Sequence, residues 1–252
     1  MTNVVAELLK LKRSIMLLLI PLATLAPVIL SFGPAYVEYL ATGNMIDVSQ
    51  LFQGNVIFLN LMIGLPLFAL ITGEVFVREY QLKTINHLFT SPGRRGQFLL
   101  SKLMVIFIYI VLTFIFSMCL TLMIAEIGKQ ANIVSSLSNG LISSYLQLYG
   151  LSILMQFSLV PITVVVSITT KTIIAPIIVA IFGVIVAGVG LGSQWATVFP
   201  WAAPTRIIFA LTDYGNYGDL NVAIAIAVLI IVFSVALLLS MFLYEKADVD
   251  GD

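Results

Sequence analysis

Charge is scarce in this chain. Asp, Glu, Lys and Arg make up only 10% of its 252 residues, against roughly 25% in soluble domains. Twelve acids and twelve bases cancel to a net charge of zero, so no strongly basic or acidic balance invites nucleic acid. Cysteine occurs once, as Cys119 in an apolar run. That excludes an internal disulfide and a cysteine metal cluster. Histidine also occurs once, as His87, and a solitary histidine in a charged stretch reads as a solvated or capping residue rather than a ligand. The sequence has no H-E-x-x-H, no paired acids within an apolar run and no G-x-S-x-G elbow, which leaves membrane catalysis without reactive groups. It also lacks a Gly-rich phosphate loop followed by Lys-Ser or Lys-Thr, so the chain does not hydrolyse ATP by itself and binds no cofactor of its own.

What is abundant is hydrocarbon. Hydrophobic residues make up 60% of the chain and the mean hydropathy is +1.11, far outside the soluble range. The expected fold is an all-α polytopic membrane protein. A spanning helix needs about 20 mostly apolar residues, and six such stretches are read at 14–32, 56–77, 103–125, 146–168, 172–192 and 220–243. The region 142–192 is nearly continuous, and the split between the fourth and fifth falls at Thr169-Thr170-Lys171-Thr172. Barrel strands alternate apolar and polar residues, whereas "LLLIPLATLAPVIL" is apolar on every face. The segments between spans are too short for a separate core, so residues 1–252 are expected to form one transmembrane domain.

Lysine and arginine set the expected orientation. Ten of the twelve, including Lys10, Lys12, Arg13, Arg78, Arg94, Arg95, Lys102 and Lys246, fall on one side, and only Lys129 and Arg206 fall on the other. Both termini and the 78–102 loop are therefore expected in the cytoplasm. The first span, with basic residues before it and no small-residue cleavage site after it, reads as retained rather than as a signal peptide. Ahead of it, "TNVVAELLKLKRS" places Val5, Leu8 and Leu9 on one face, as an interfacial amphipathic helix would.

The stretch "VREYQLKTINHLFTSPGRRGQ" stands apart from the rest. Leu82, Ile85, Leu88 and Phe89 recur at helical spacing on one face, and Pro92-Gly93 ends the short helix. Two readings of it are equally compatible with the physics: a docking helix for a separate motor subunit, or an interfacial anchor linking spans two and three. The pattern Glu74, Arg78-Glu79-Tyr80, Thr84 and "LFTSPGRRGQFLLSK" resembles the membrane subunits of type-2 ABC exporters, most of all the compact permeases of peptide-antibiotic resistance and lantibiotic immunity. The resemblance covers the whole chain in outline, and its specific part is 74–102. It implies a cytoplasmic coupling helix at Leu82, Ile85, Leu88 and Phe89, with Arg78 and Glu79 holding it or pairing with the motor and Glu74 capping the inner end of span two. It implies two ABC ATPase subunits carrying ATP and Mg, a second permease chain, identical or homologous, and an inner or cytoplasmic membrane setting.

Asn55, Asn60, Gln156 and Thr163 lie in or beside spans two and four and are candidates to line a cargo cavity; interhelical hydrogen bonding accounts for them equally. Gly183-xxx-Ala187 and Gly188-xxx-Gly192 are small-residue pairs suited to close helix packing, and Trp195 and Trp201 sit where interfacial aromatics belong. Rival functions are an ion-coupled carrier, disfavoured because only Glu74 lies near a span boundary, and a membrane partner or sensor that transports nothing.

Overall fold

The computed structural model describes residues 16–81, 95–136, 139–212 and 221–246. Those residues are helical, with no strand among them beyond an isolated parallel bridge between Ile46 and Val134. The helices are α1 (Met16–Thr42), α2 (Val48–Phe58), a π turn (Leu59–Ile63), α3 (Gly64–Gln81), α4 (Arg95–Gln130), α5 (Asn139–Thr170), α6 (Ile174–Gly190), a 3₁₀ turn (Gln194–Thr197), α7 (Ala203–Leu211) and α8 (Val222–Lys246). Five segments are long and apolar enough to cross a membrane: Leu19–Thr42, Val48–Arg78, Gly96–Gln130, Gly140–Thr170 and Val222–Lys246. α6 is as apolar but has 17 residues, about 25 Å at 1.5 Å per residue. The protein is a multi-pass membrane protein.

Most helices run past the apolar stretches read from sequence. The first reaches Thr42 rather than residue 32, and the third starts at Arg95 rather than at residue 103. Spanning stretches are counted by hydropathy, but the helix continues for as long as its backbone ladder does. α4, at 36 residues, is about 54 Å long, well beyond the roughly 30 Å hydrocarbon core. The break after α5 falls where the Thr-Thr-Lys-Thr run suggests. Thr169 and Thr170 donate back to carbonyls of their own helix, and Lys171 takes a left-handed φ of 51° that ends it.

The two ends of the bundle are fixed by specific contacts. At one end, here the bridge end, Ile46 N–H donates to Ile133 O at 2.8 Å and Ser135 N–H to Ile46 O at 2.9 Å. This clip ties the α1–α2 turn to the α4–α5 turn. At the opposite, loop end, α3 finishes and α4 begins. Here a Cβ on Gly73 would lie 3.1 Å from the Ile173 carbonyl, so α3 presses on the start of α6, and Phe76 meets Tyr244 of α8.

The α2–π–α3 segment is the centre of the bundle. Two thirds of its apolar window is buried (67%), against 22% for α1 and 17% for α8. α6 turns Ile174, Ile178, Phe182, Ile185 and Val189 outward as an exposed apolar stripe, suited to lipid. Its other face is notched. A Cβ on Gly183 would lie 2.6 Å from the Trp201 ring, and Gly190 receives Trp195 in the same way. Trp201 therefore sits about 10 Å back along α6 from Gly190, so the chain after α6 folds back against it. Of the small residues singled out in the sequence, Gly183 and Ala187 pack inward, whereas Gly188 and Gly192 meet nothing within 4 Å.

Candidate functional site

At the loop end, Arg78 Nη1 lies 3.2 Å from Glu74 Oε1, one turn earlier on α3. With Arg78 46% and Glu74 22% exposed, this is a surface pair of small energetic weight. Glu79 belongs to α3, but its side chain, like Leu82, Ile85, Leu88 and Phe89, lies outside the described residues, as does the amphipathic N-terminal segment.

Lys102 is the residue that sequence reasoning misplaces here. From sequence it is expected at the end of the cytoplasmic 78–102 loop, just before the third span. It lies instead within α4 and is 1% exposed. Its stem runs between helices, and Nζ donates to the Val75 carbonyl of α3 at 2.7 Å. The same ammonium stands 5.2 Å from the centre of the Phe76 ring, whose edge-to-face partner at 6.3 Å is Tyr244 of α8. Three helices thus meet around one buried cation. Arg206, expected as an outside loop charge, is also interior: it is 3% exposed, and Nη1 donates to Leu191 O at 3.0 Å.

A seam of buried polar groups runs between α2–α3 and the pair α4 and α5. Asn55 Oδ1 accepts from Ser117 Oγ and from Tyr149 OH, both at 2.8 Å. Farther along, Gln156 Nε2 donates to the Asn60 backbone carbonyl at 2.9 Å and to Asn60 Oδ1 at 3.0 Å. The π turn makes this possible. Pro66 has no N–H, and its ring crowds the carbonyl four residues back, so the ladder widens and the Gly64 N–H reaches Leu59 O. A Cβ on Gly64 would lie 2.5 Å from Leu59 O and 3.6 Å from the Gln156 amide carbon. Glycine is required there by close approach, not by φ.

Of the four candidate cavity residues, Asn55, Asn60 and Gln156 are thus held in buried hydrogen bonds between helices, Asn55 in one set and the Asn60–Gln156 pair in another. Thr163 donates to the Val160 carbonyl of its own helix at 2.7 Å. Gln156 and Thr163 share a hollow of about 10 Å³, room for one water at most. Ser117 and Tyr149, which complete the seam, escape sequence reasoning because a hydroxyl in an apolar run looks like any other until its partner is known. A separate groove of about 350 Å³, lined by Leu151, Leu154, Phe157, Ile226, Ile230 and Phe233, opens between α5 and α8. At the bridge end, a polar hollow of about 100 Å³ carries Glu38, Tyr39, Asn44, Asp47 and Gln50.

Residues 4–187 match the family described as ABC-2 family transporter protein. The chain is also similar to the bacitracin transport permease protein BCRB of Bacillus licheniformis, at 30% identity over 158 residues, covering 63% of this chain and 74% of that protein. The matched region contains the charged stretch between α3 and α4, Lys102 and the whole polar seam. An all-helical bundle with several membrane-spanning segments and a charge-rich link after its central helix accords with that match: the chain belongs to the ABC-2 transporter family and is a membrane permease of an ABC transporter.

Proposed function

We propose that this chain is the membrane subunit of an ATP-driven exporter whose cargo is an amphipathic peptide of the peptide-antibiotic class. The observation that carries the reading is the likeness to a permease named for bacitracin transport. The chain has no nucleotide-binding loop of its own, so ATP and Mg belong to a partner ABC ATPase, present in two copies beneath two permease chains, identical or homologous. The ATPases dock on Leu82, Ile85, Leu88 and Phe89, with Arg78 and Glu79 at the root of that helix. The whole chain acts as one domain with six spans, α6 included, an N-terminal interfacial helix, and both termini on the cytoplasmic side of the cell membrane. Arg78, Lys171 and Lys246 lie on helix ends or turns of the loop end, which supports that end facing the cytoplasm.

The opposite face favours a cationic cargo. Glu38, Asp47, Glu126, Asp213 and Asp219 oppose Lys129 and Arg206, for a net of minus three. Arg206 is turned inward, and the described charges at that end are Glu38, Asp47 and Glu126 against Lys129; such a field raises encounter rates at low salt.

Inside-out vesicles carrying the permease and its ATPase test the reading. The expected result is ATP-dependent uptake of a labelled cationic peptide antibiotic that vanadate stops and an ionophore leaves intact. Uptake that needs no ATP and collapses with the ion gradient would instead identify a secondary carrier.

A further inference from the structure

The mechanism proposed above makes no use of Lys102, buried between α3 and α4. We infer that Lys102 is a positioning residue for energy transfer, a brace that holds the two roots of the charged loop at fixed separation so that motion of the loop moves α3, α4 and α8 together. The inference rests on the permease–ATPase reading.

An ammonium taken out of water is costly unless good acceptors surround it, so its place calls for an explanation. A lysine serving only to mark a membrane surface would extend its head to water. Lys102 points inward and is 1% exposed. It donates to a main-chain carbonyl at 2.7 Å, which ties it to the position of α3 itself. The contact lies six residues before the end of α3 and seven after the start of α4. At 1.5 Å per residue it is about 10 Å from both roots of the loop. The Phe76 ring beneath the ammonium extends the brace to Tyr244, on the last helix. A push applied at the loop therefore reaches three helices through contacts that share one charge. Remove the charge, and this directional tie between α3 and α4 is lost, leaving their spacing to side-chain packing alone at this level.

The test uses Lys102→Met, which keeps the unbranched apolar stem without the ammonium, and Lys102→Arg, which can still donate to a carbonyl and lie over a ring. Exposed Lys171→Met is the control. In vesicles of the assembled complex, K102M is expected to keep the bound ATPase and its hydrolysis rate while peptide moved per ATP falls about tenfold, within the usual range of inter-site coupling. K102R restores most of it, and K171M matches wild type. Should K102M fail to accumulate, Phe76→Leu, which removes the ring face but fills its space, is expected to show the same split more weakly.

A second readout needs no ATPase. Spin labels on Arg78→Cys and Gln97→Cys, in a Cys119→Ser background, are expected to give a narrow distance distribution in wild type and K102R, and a broadened one in K102M. Unchanged transport per ATP, or an unchanged distribution in K102M, overturns the brace. Absence of any ATP-driven transport in wild type overturns the permease–ATPase reading instead, and the two failures are thereby told apart.

Discussion

Single residues in this bundle matter most where a polar group is out of reach of water. Asn55 serves two hydroxyls through one oxygen. Asn55→Leu leaves Ser117 and Tyr149 without that acceptor, and hydrogen bonds between membrane helices contribute about 0.6 kcal/mol on average and up to about 1.7. The expected loss is about 1–3 kcal/mol in a detergent-to-SDS unfolding titration, with the larger part recovered by Asn55→Asp or Gln only where the oxygen is returned to its place. Gly183→Leu drives a side chain into the Trp201 ring and is expected to red-shift tryptophan emission as the indole leaves its notch. The sequence announced these positions unevenly. Asn55 and Gly183 stand out within their spans, but the partners of Asn55 lie 62 and 94 residues away, and no local pattern joins them. Lys102 was misplaced for a related reason: composition marks a lysine near an apolar boundary as a surface anchor, and only the position of α3 shows it a buried acceptor.

Elements were legible where hydrocarbon alone decides. Each apolar stretch holds a helix, and the division of 142–192 falls at the threonine-rich break, where Thr169 and Thr170 donate back to Val165 and Val166 and Lys171 reverses the chain in a left-handed φ. Helix ends were less legible, since a membrane helix does not stop at the hydrocarbon boundary; α1 and α4 run on by eight residues or more beyond the apolar count. The π turn could have been suspected from Gly64 and Pro66 together, one removing a Cβ and the other an N–H. Gly64→Ala places a methyl against the Leu59 carbonyl and is expected to destabilise the protein by about 1–3 kcal/mol, the usual cost of overpacking. Gln156→Leu removes both bonds to Asn60. A smaller loss is expected from it, and their combination should fall short of the sum, because both changes act on one seat. Equilibrium unfolding of the two single variants and the double variant checks this.

At the scale of the whole molecule, the described charges are mostly basic at the loop end and mostly acidic at the bridge end, and a central α2–π–α3 segment packed more deeply than its neighbours joins the two. If the bridge end receives or releases a cationic peptide, neutralising Glu38, Asp47, Glu126, Asp213 and Asp219 to their amides slows peptide encounter several-fold at low ionic strength and little at high, because a Debye length near 8 Å at physiological salt screens surface charge. Peptide flux measured at two salt concentrations checks it; equal rates for wild type and the amide variant at low salt would remove steering. Asp47→Asn retains an N-cap for α2, so the comparison does not confuse steering with folding.

The central claim is that motor and membrane subunit meet at the charged loop. Affinity purification of the chain from its native membrane, followed by an ATPase assay with Glu79→Ala and Phe89→Ala in parallel, tests it most directly. An ABC ATPase that co-purifies with wild type, and is lost or uncoupled in the two variants, is the predicted result. A preparation free of ATPase, with both variants indistinguishable from wild type, would contradict it.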